Sequence, residues 1–173
     1  AHELKHASQY ASSRWTEGGW LEADAVWSED FVFDETDDYL RYLVDGSPVS
    51  DPARWWPVSY EDCLFPRLLA ERHGAGVLVD FFARRAQSPG EPVLGSYDAV
   101  LRERASSLAD AAGTLGLWTW FCGANAPGRP VGFEEASRYP APPIAGLVEG
   151  TSDGRLPELG THHVLATAFG RSG

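Results

Sequence analysis

The sequence predicts a mainly α fold in one domain, closed by a short C-terminal strand, and three observations carry that expectation. Apolar residues recur in runs of helical length and spacing. Stretches rich in Gly, Pro, Ser and Asp separate those runs. Only His162 to Phe169 near the end reads as a strand. At 173 residues and 43% hydrophobic, the chain is long enough to bury a core and too short for two ordinary domains. Residues 1–145 are expected to form the helical body and 146–173 a loop-rich tail ending in the strand.

The elements follow in order. Glu3 to Ser12 reads as a helix whose Leu4, Ala7 and Ala11 are spaced to face a core. Trp20 to Phe31 reads as a second helix, with Leu21, Ala25 and Trp27 apolar. The cluster Asp34-Glu35-Thr36-Asp37-Asp38 precedes Tyr39-Leu40-Arg41-Tyr42-Leu43, as carboxylates often precede a helix whose N-terminus carries positive partial charge. A calcium loop is the sharper reading, but the ligand alternation and glycine of such a loop are missing. Residues 45–59 are loop; Trp55 and Trp56 within them either floor a cleft or plug the core, and seven tryptophans in the chain favour packing.

Ser59 is placed to cap a helix from Tyr60 to Arg72, with Asp62 three residues on and Pro66 expected to kink it. Ala75 to Ala86 reads as a further helix by its length and its closing Arg84-Arg85. Gln87 to Gly95 is loop, Ser96 caps Tyr97 to Arg104, and Leu108 to Cys122 is a helix weakened by Gly113 and Gly116. Gly and Pro then dominate as far as the terminal strand. His162 and His163 are adjacent, so on a strand they face opposite ways and do not share one metal.

The chemistry concentrates in the first thirty residues. In His2-Glu3-Leu4-Lys5-His6 the two histidines are four apart, which on a helix stacks both imidazoles on one face about one turn apart, with a glutamate beside them. A catalytic zinc takes three protein ligands and leaves a fourth position for water, so a third donor is required. Glu22 is the first plausible supplier. It sits in the second apolar stretch, and the two stretches are expected to form an antiparallel helix pair facing one metal.

Together, His2-Glu3-Leu4-Lys5-His6 and Glu22-Ala23-Asp24-Ala25-Val26-Trp27-Ser28-Glu29-Asp30 resemble the gluzincin metallopeptidases, in which His-Glu-x-x-His on one helix is completed by Glu on the next. More narrowly they resemble the secreted bacterial branch akin to hyicolysin, whose second helix reads Trp-x-x-Glu-(Gly/Ala)-x-Ala-x-x-x-Glu-Asp. Trp20 lies one residue closer to the glutamate than that pattern has it. Tyr60 to Gly74 is similar to the family's aromatic-containing helix, from which Pro66 departs. Ala124-Asn125 and Gly132 to Pro140 are similar to its late Ala-Asn and Tyr-Pro segments. The resemblance spans residues 1–145 and is strongest in 2–30.

That resemblance implies a helical, zinc-bearing lobe of a gluzincin-like metallopeptidase. It implies Zn2+ held by His2, His6 and Glu22, with Glu3 as general base, acting on protein or peptide substrates outside the cell. Tyr60 is the candidate oxyanion donor, with Tyr39 and His73 as alternatives. Glu29, seven residues after Glu22, is the candidate partner of a ligating imidazole, because Val26 occupies the position where thermolysin-like chains place an acid. Asp24 is expected to point away. The resemblance also implies an upstream lobe, and the chain has no methionine, so the expectation is the zinc-bearing part of something longer.

Charge excludes several partners. A net charge of −11 argues against nucleic acid or an anionic membrane surface, both of which need a basic patch. No apolar run approaches the ~20 residues of a membrane span. Cys63 and Cys122 form either a disulfide or two buried thiols, and neither sits beside a base in a nucleophile pattern. The alternatives to a peptidase are a non-catalytic acidic binding or inhibitor module, or a family member that keeps the fold without activity.

Overall fold

The computed structural model describes residues 1–12, 17–53, 59–126, 128, 131–144, 146–148 and 164–166. Among them, six α-helices carry the fold: α1 (His2–Ser12), α2 (Gly18–Val32), α3 (Leu64–His73), α4 (Gly76–Gln87), α5 (Val93–Arg102) and α6 (Leu108–Trp120). Short 3-10 turns lie at Asp38–Leu43, Tyr60–Asp62, Gly123–Asn125 and Ala136–Arg138. The fold is mainly α, as expected. Strand β2 (Val164–Ala166) falls inside the predicted 162–169 strand and pairs in parallel with β1 (Gly146–Val148), a segment that reads as loop in the sequence. No helix of the described residues is long and apolar enough to cross a membrane.

Helix α2 is the axis of the core. It is buried along most of its length, from Trp20 to Asp30, because it packs against α1 and α3 at once. An aromatic ladder continues from it: the Trp20 and Phe65 rings lie 5.7 Å apart, Phe65 meets Tyr97 edge-on at 5.2 Å, and Tyr97 stacks on Phe81 at 3.9 Å. Such ring pairs add about 0.5–1.5 kcal/mol each beyond the area they bury, and this series ties α2, α3, α4 and α5 together.

Helix α1 departs from its apolar periodicity. Leu4 is 78% exposed, and Ala7 and Ala11 also face outward. The one fully buried residue of this helix is Gln9. Its inward face is therefore polar, made of His2, Lys5, His6 and Gln9, and the polar groups of α2 meet it. Leu4 instead lines a cavity of about 500 Å³ with Trp27, Phe31, Leu78 and Phe82.

Two helix starts differ from expectation. Tyr60–Asp62 is a 3-10 turn and α3 begins only at Leu64, so Pro66 lies in the first turn, where a missing N–H costs no helical bond and produces no break. Ser59 makes no side-chain cap bond. Helix α5 begins at Val93, whose N–H donates to Glu17 Oε2 at 2.8 Å, and Ser96 is an interior residue donating to Glu91 Oε2 at 2.9 Å. A cap supplied from 76 residues away leaves no local signal. By contrast Ser107 caps α6 as a local cap should, accepting from the Asp110 N–H at 3.1 Å.

Cys63 and Cys122 are both free and buried, which settles the open pair of readings for thiols. Burial pushes the Cys63 thiol well up and that of Cys122 to about 12, so neither is a nucleophile near neutral pH.

Glu91 ties α4 to α5. It accepts from Arg84 Nε and Nη2 at 2.8 and 2.7 Å, and the Arg84 bonds, with that from Ser96, hold its carboxyl below the usual range. A lowered folded-state pKa contributes stability that is present above the ordinary carboxylate value and is lost as pH falls through the folded value. Glu91→Gln is therefore expected to lower thermal stability near neutral pH and to flatten its acid dependence. Melting curves between neutral and acid pH check this, and an unchanged acid slope would count against it.

Candidate metal centre

The first two turns of α1 carry His2 and His6 on one face, with ring centroids 4.6 Å apart and the planes nearly perpendicular. Helix α2 runs antiparallel beside it, so His2 lies near Glu22 and Glu29 while Gln9 lies near Leu21. Glu22 projects between the imidazoles. Its Oε2 is 3.2 Å from His2 Nε2 and 3.3 Å from His6 Nε2. Ligand atoms of the three residues lie within 4.8 Å of one another.

These spacings permit a test of fit. Donors bound to zinc at about 2.0–2.2 Å and placed at the corners of a tetrahedron stand about 3.3–3.5 Å apart. The two carboxylate–imidazole separations match that edge. Two imidazoles and one carboxylate are also a donor set that zinc accepts. Glu22 is 31% exposed on its side chain against 15% and 16% for the histidines, so the cluster is held by protein on one side and open on the other. The residues present fit a three-ligand zinc site.

Around the triad stand further groups. The Tyr60 ring stacks on His2 at 5.6 Å and on Tyr42 at 5.1 Å. The nearby Glu22 carboxylate raises the phenol's pKa, which keeps it a proton donor. Glu3 is exposed on the same helix as the histidines, and its charge also acts on Tyr60. Glu29 Oε2 lies 3.5 Å from His2 Nδ1, in the place expected for it.

Asp24 corrects the expectation. It does not point away: it is 1% exposed, and its Oδ2 takes Lys5 Nζ at 3.1 Å and Gln9 Nε2 at 2.8 Å. The long side chains of Lys5 and Gln9 reach it from α1, a contact that a view of α2 alone does not foresee. Burial still raises the Asp24 carboxyl above its ordinary range despite these partners. Gln9 Oε1 in turn lies 2.8 Å from His6 Nδ1. Its spacing of three from His6 on a helix is the signal that marks it.

The other oxyanion candidates lie apart from the triad's contacts. Tyr39 is buried and donates to Glu135 at 2.5 Å, with Tyr139 OH at 2.9 Å. His73 closes α3 near Arg72 and Arg104, and burial lowers its pKa. Trp55, Trp56, His162 and His163 lie outside the described residues.

A second carboxylate group, Asp30, Asp37 and Glu135, also converges within 4.8 Å. Its cations are arginines: Arg67 reaches Asp30 at 2.5 Å, Glu71 at 2.8 Å and Glu135 at 3.1 Å, and Arg138 reaches Asp37 at 2.7 Å. Of the acidic run 34–38, Asp37 alone enters this group. Comparison of the chain with protein-family models, curated proteins and solved structures finds no match.

Proposed function

We propose that the chain is a zinc-dependent endopeptidase, the helical zinc-bearing lobe of a gluzincin-like enzyme, acting outside the cell on protein or peptide substrates. The observation that supports this reading is the pair of 3.2 and 3.3 Å separations of Glu22 Oε2 from His2 Nε2 and His6 Nε2, close to the corner-to-corner distance of a zinc tetrahedron. Zinc, when bound, supplies Lewis acidity and a water acidified to near neutral pH.

The chain's own residues do the rest. His2 and His6 present ring nitrogens from one helical face, and Glu22 contributes a carboxylate oxygen from the neighbouring helix. Glu3, beside the ligands and exposed, takes the proton of the attacking water and passes it to the leaving amine. Tyr60, whose phenol stays protonated, is the side-chain donor for the oxyanion that forms at the scissile carbonyl. Glu29 orients His2 from behind.

Metal content tests the reading. Wild-type protein dialysed against zinc is expected to retain one ion per chain and to cleave casein or a peptide in a chelator-sensitive manner. His2→Ala and His6→Ala are each expected to lose the ion. Zinc retained by both variants, or none held by the wild type, would sink the proposal.

A further inference from the structure

We infer that Gln9 is a positioning residue for this centre: its amide fixes His6 as the Nδ1–H tautomer and turns a bare Nε2 toward Glu22. The inference rests on the zinc reading above and adds the group that prepares one ligand for the ion.

A side-chain amide has a donor end and an acceptor end, and its surroundings decide which is which. Gln9 is 0% exposed, so neither end can turn to water. Its nitrogen faces two acceptors, the Leu21 carbonyl at 3.1 Å and Asp24 Oδ2 at 2.8 Å. The reverse orientation would set oxygen against two buried acceptors at hydrogen-bond distance, a repulsive and costly arrangement. Asp24 cannot shift to relieve that, because Lys5 Nζ holds the same oxygen at 3.1 Å. The Gln9 oxygen must therefore face His6 Nδ1, 2.8 Å away, and that nitrogen must carry a hydrogen.

A neutral imidazole has one N–H. With it committed to Gln9, Nε2 presents a lone pair to Glu22 Oε2, itself an acceptor, 3.3 Å away. Two acceptors facing each other at that distance repel unless a cation lies between them, a proton on the imidazolium below its titration and a metal ion above it. The run Lys5, Asp24, Gln9, His6 thus begins on an ammonium and ends on a nitrogen prepared for a metal. His2 is served differently, by Glu29 at 3.5 Å.

Long-range proton–nitrogen NMR spectra of the imidazoles test this in the metal-free protein at a pH above imidazole titration. His6 is expected to be the Nδ1–H form in the wild type. Gln9→Leu should move it toward Nε2–H and weaken zinc binding, measured by competition with a chromophoric chelator, by about 10–100-fold. Asp24→Asn keeps an oxygen that can accept from the Gln9 amide and is expected to preserve the tautomer. An Nε2–H His6 in the wild type overturns the inference without need of any variant, as does a folded Gln9→Leu that binds zinc as tightly as the wild type. If the wild type binds no zinc, the zinc reading fails, and the role of Gln9 in it fails too; the spectrum still reports the tautomer separately.

Discussion

Replacing Glu3 by Gln is expected to leave zinc in place and to reduce peptide hydrolysis by about 10²–10⁴-fold, the range a positioned general base contributes. The two halves of that result have separate physical origins. Metal retention follows because His2, His6 and Glu22 converge without Glu3. Loss of turnover follows because a carboxamide of nearly the same shape cannot accept the water's proton. Glu22→Ala is the necessary contrast, since it removes the carboxylate both imidazoles face and should lose the ion itself. Elemental analysis beside a peptide-cleavage assay reads both outcomes, and full cleavage by Glu3→Gln would refute the role given to Glu3.

The largest stability effect is expected at Arg67. Its side chain is 8% exposed, it reaches Asp30, Glu71 and Glu135, and it lies 4.8 Å over the Tyr39 ring. Burial already raises the carboxyls of Asp30 and Glu71 against the pull of this guanidinium. Removing the cation leaves Asp30 and Glu71 without their guanidinium, while Glu135 keeps Arg138, and breaking one partner out of a buried pair costs about 3–5 kcal/mol. Arg67→Ala should therefore shift the urea midpoint strongly at an unchanged slope. Arg102→Ala, which removes a 69% exposed partner of Asp98, should shift it little. Equal shifts for the two would show that the Arg67 cluster carries no special weight.

How far the sequence foretells the molecule depends on the range of the interaction. The helices at 18–32, 76–87 and 108–120 were readable because their apolar runs and closing residues are local. The triad was readable for a similar reason: a spacing of four on one helix and one glutamate on the next fix most of the geometry. For helix α1 the sequence points the wrong face inward, because Leu4, Ala7 and Ala11 have the right period while the burial is decided by polar groups on α2. The cap of α5 by Glu17 and the bond from Gln9 to Asp24 were invisible for the same cause, since each joins residues whose meeting depends on tertiary docking. Pro66 shows the converse: position within a helix, not its presence in the sequence, decides whether proline breaks it.

The polar inward face of α1 has a thermodynamic consequence. Segments open locally in proportion to how little apolar surface anchors them, and this helix leans on hydrogen bonds and ion pairs where its neighbours lean on aromatic rings. An ion clasped by His2, His6 and Glu22 would bridge it to α2 and favour the closed form by mass action. Occupancy and the seating of the helix would then be one equilibrium, and scavenging the metal would loosen the polypeptide beside Glu3, the residue proposed as general base.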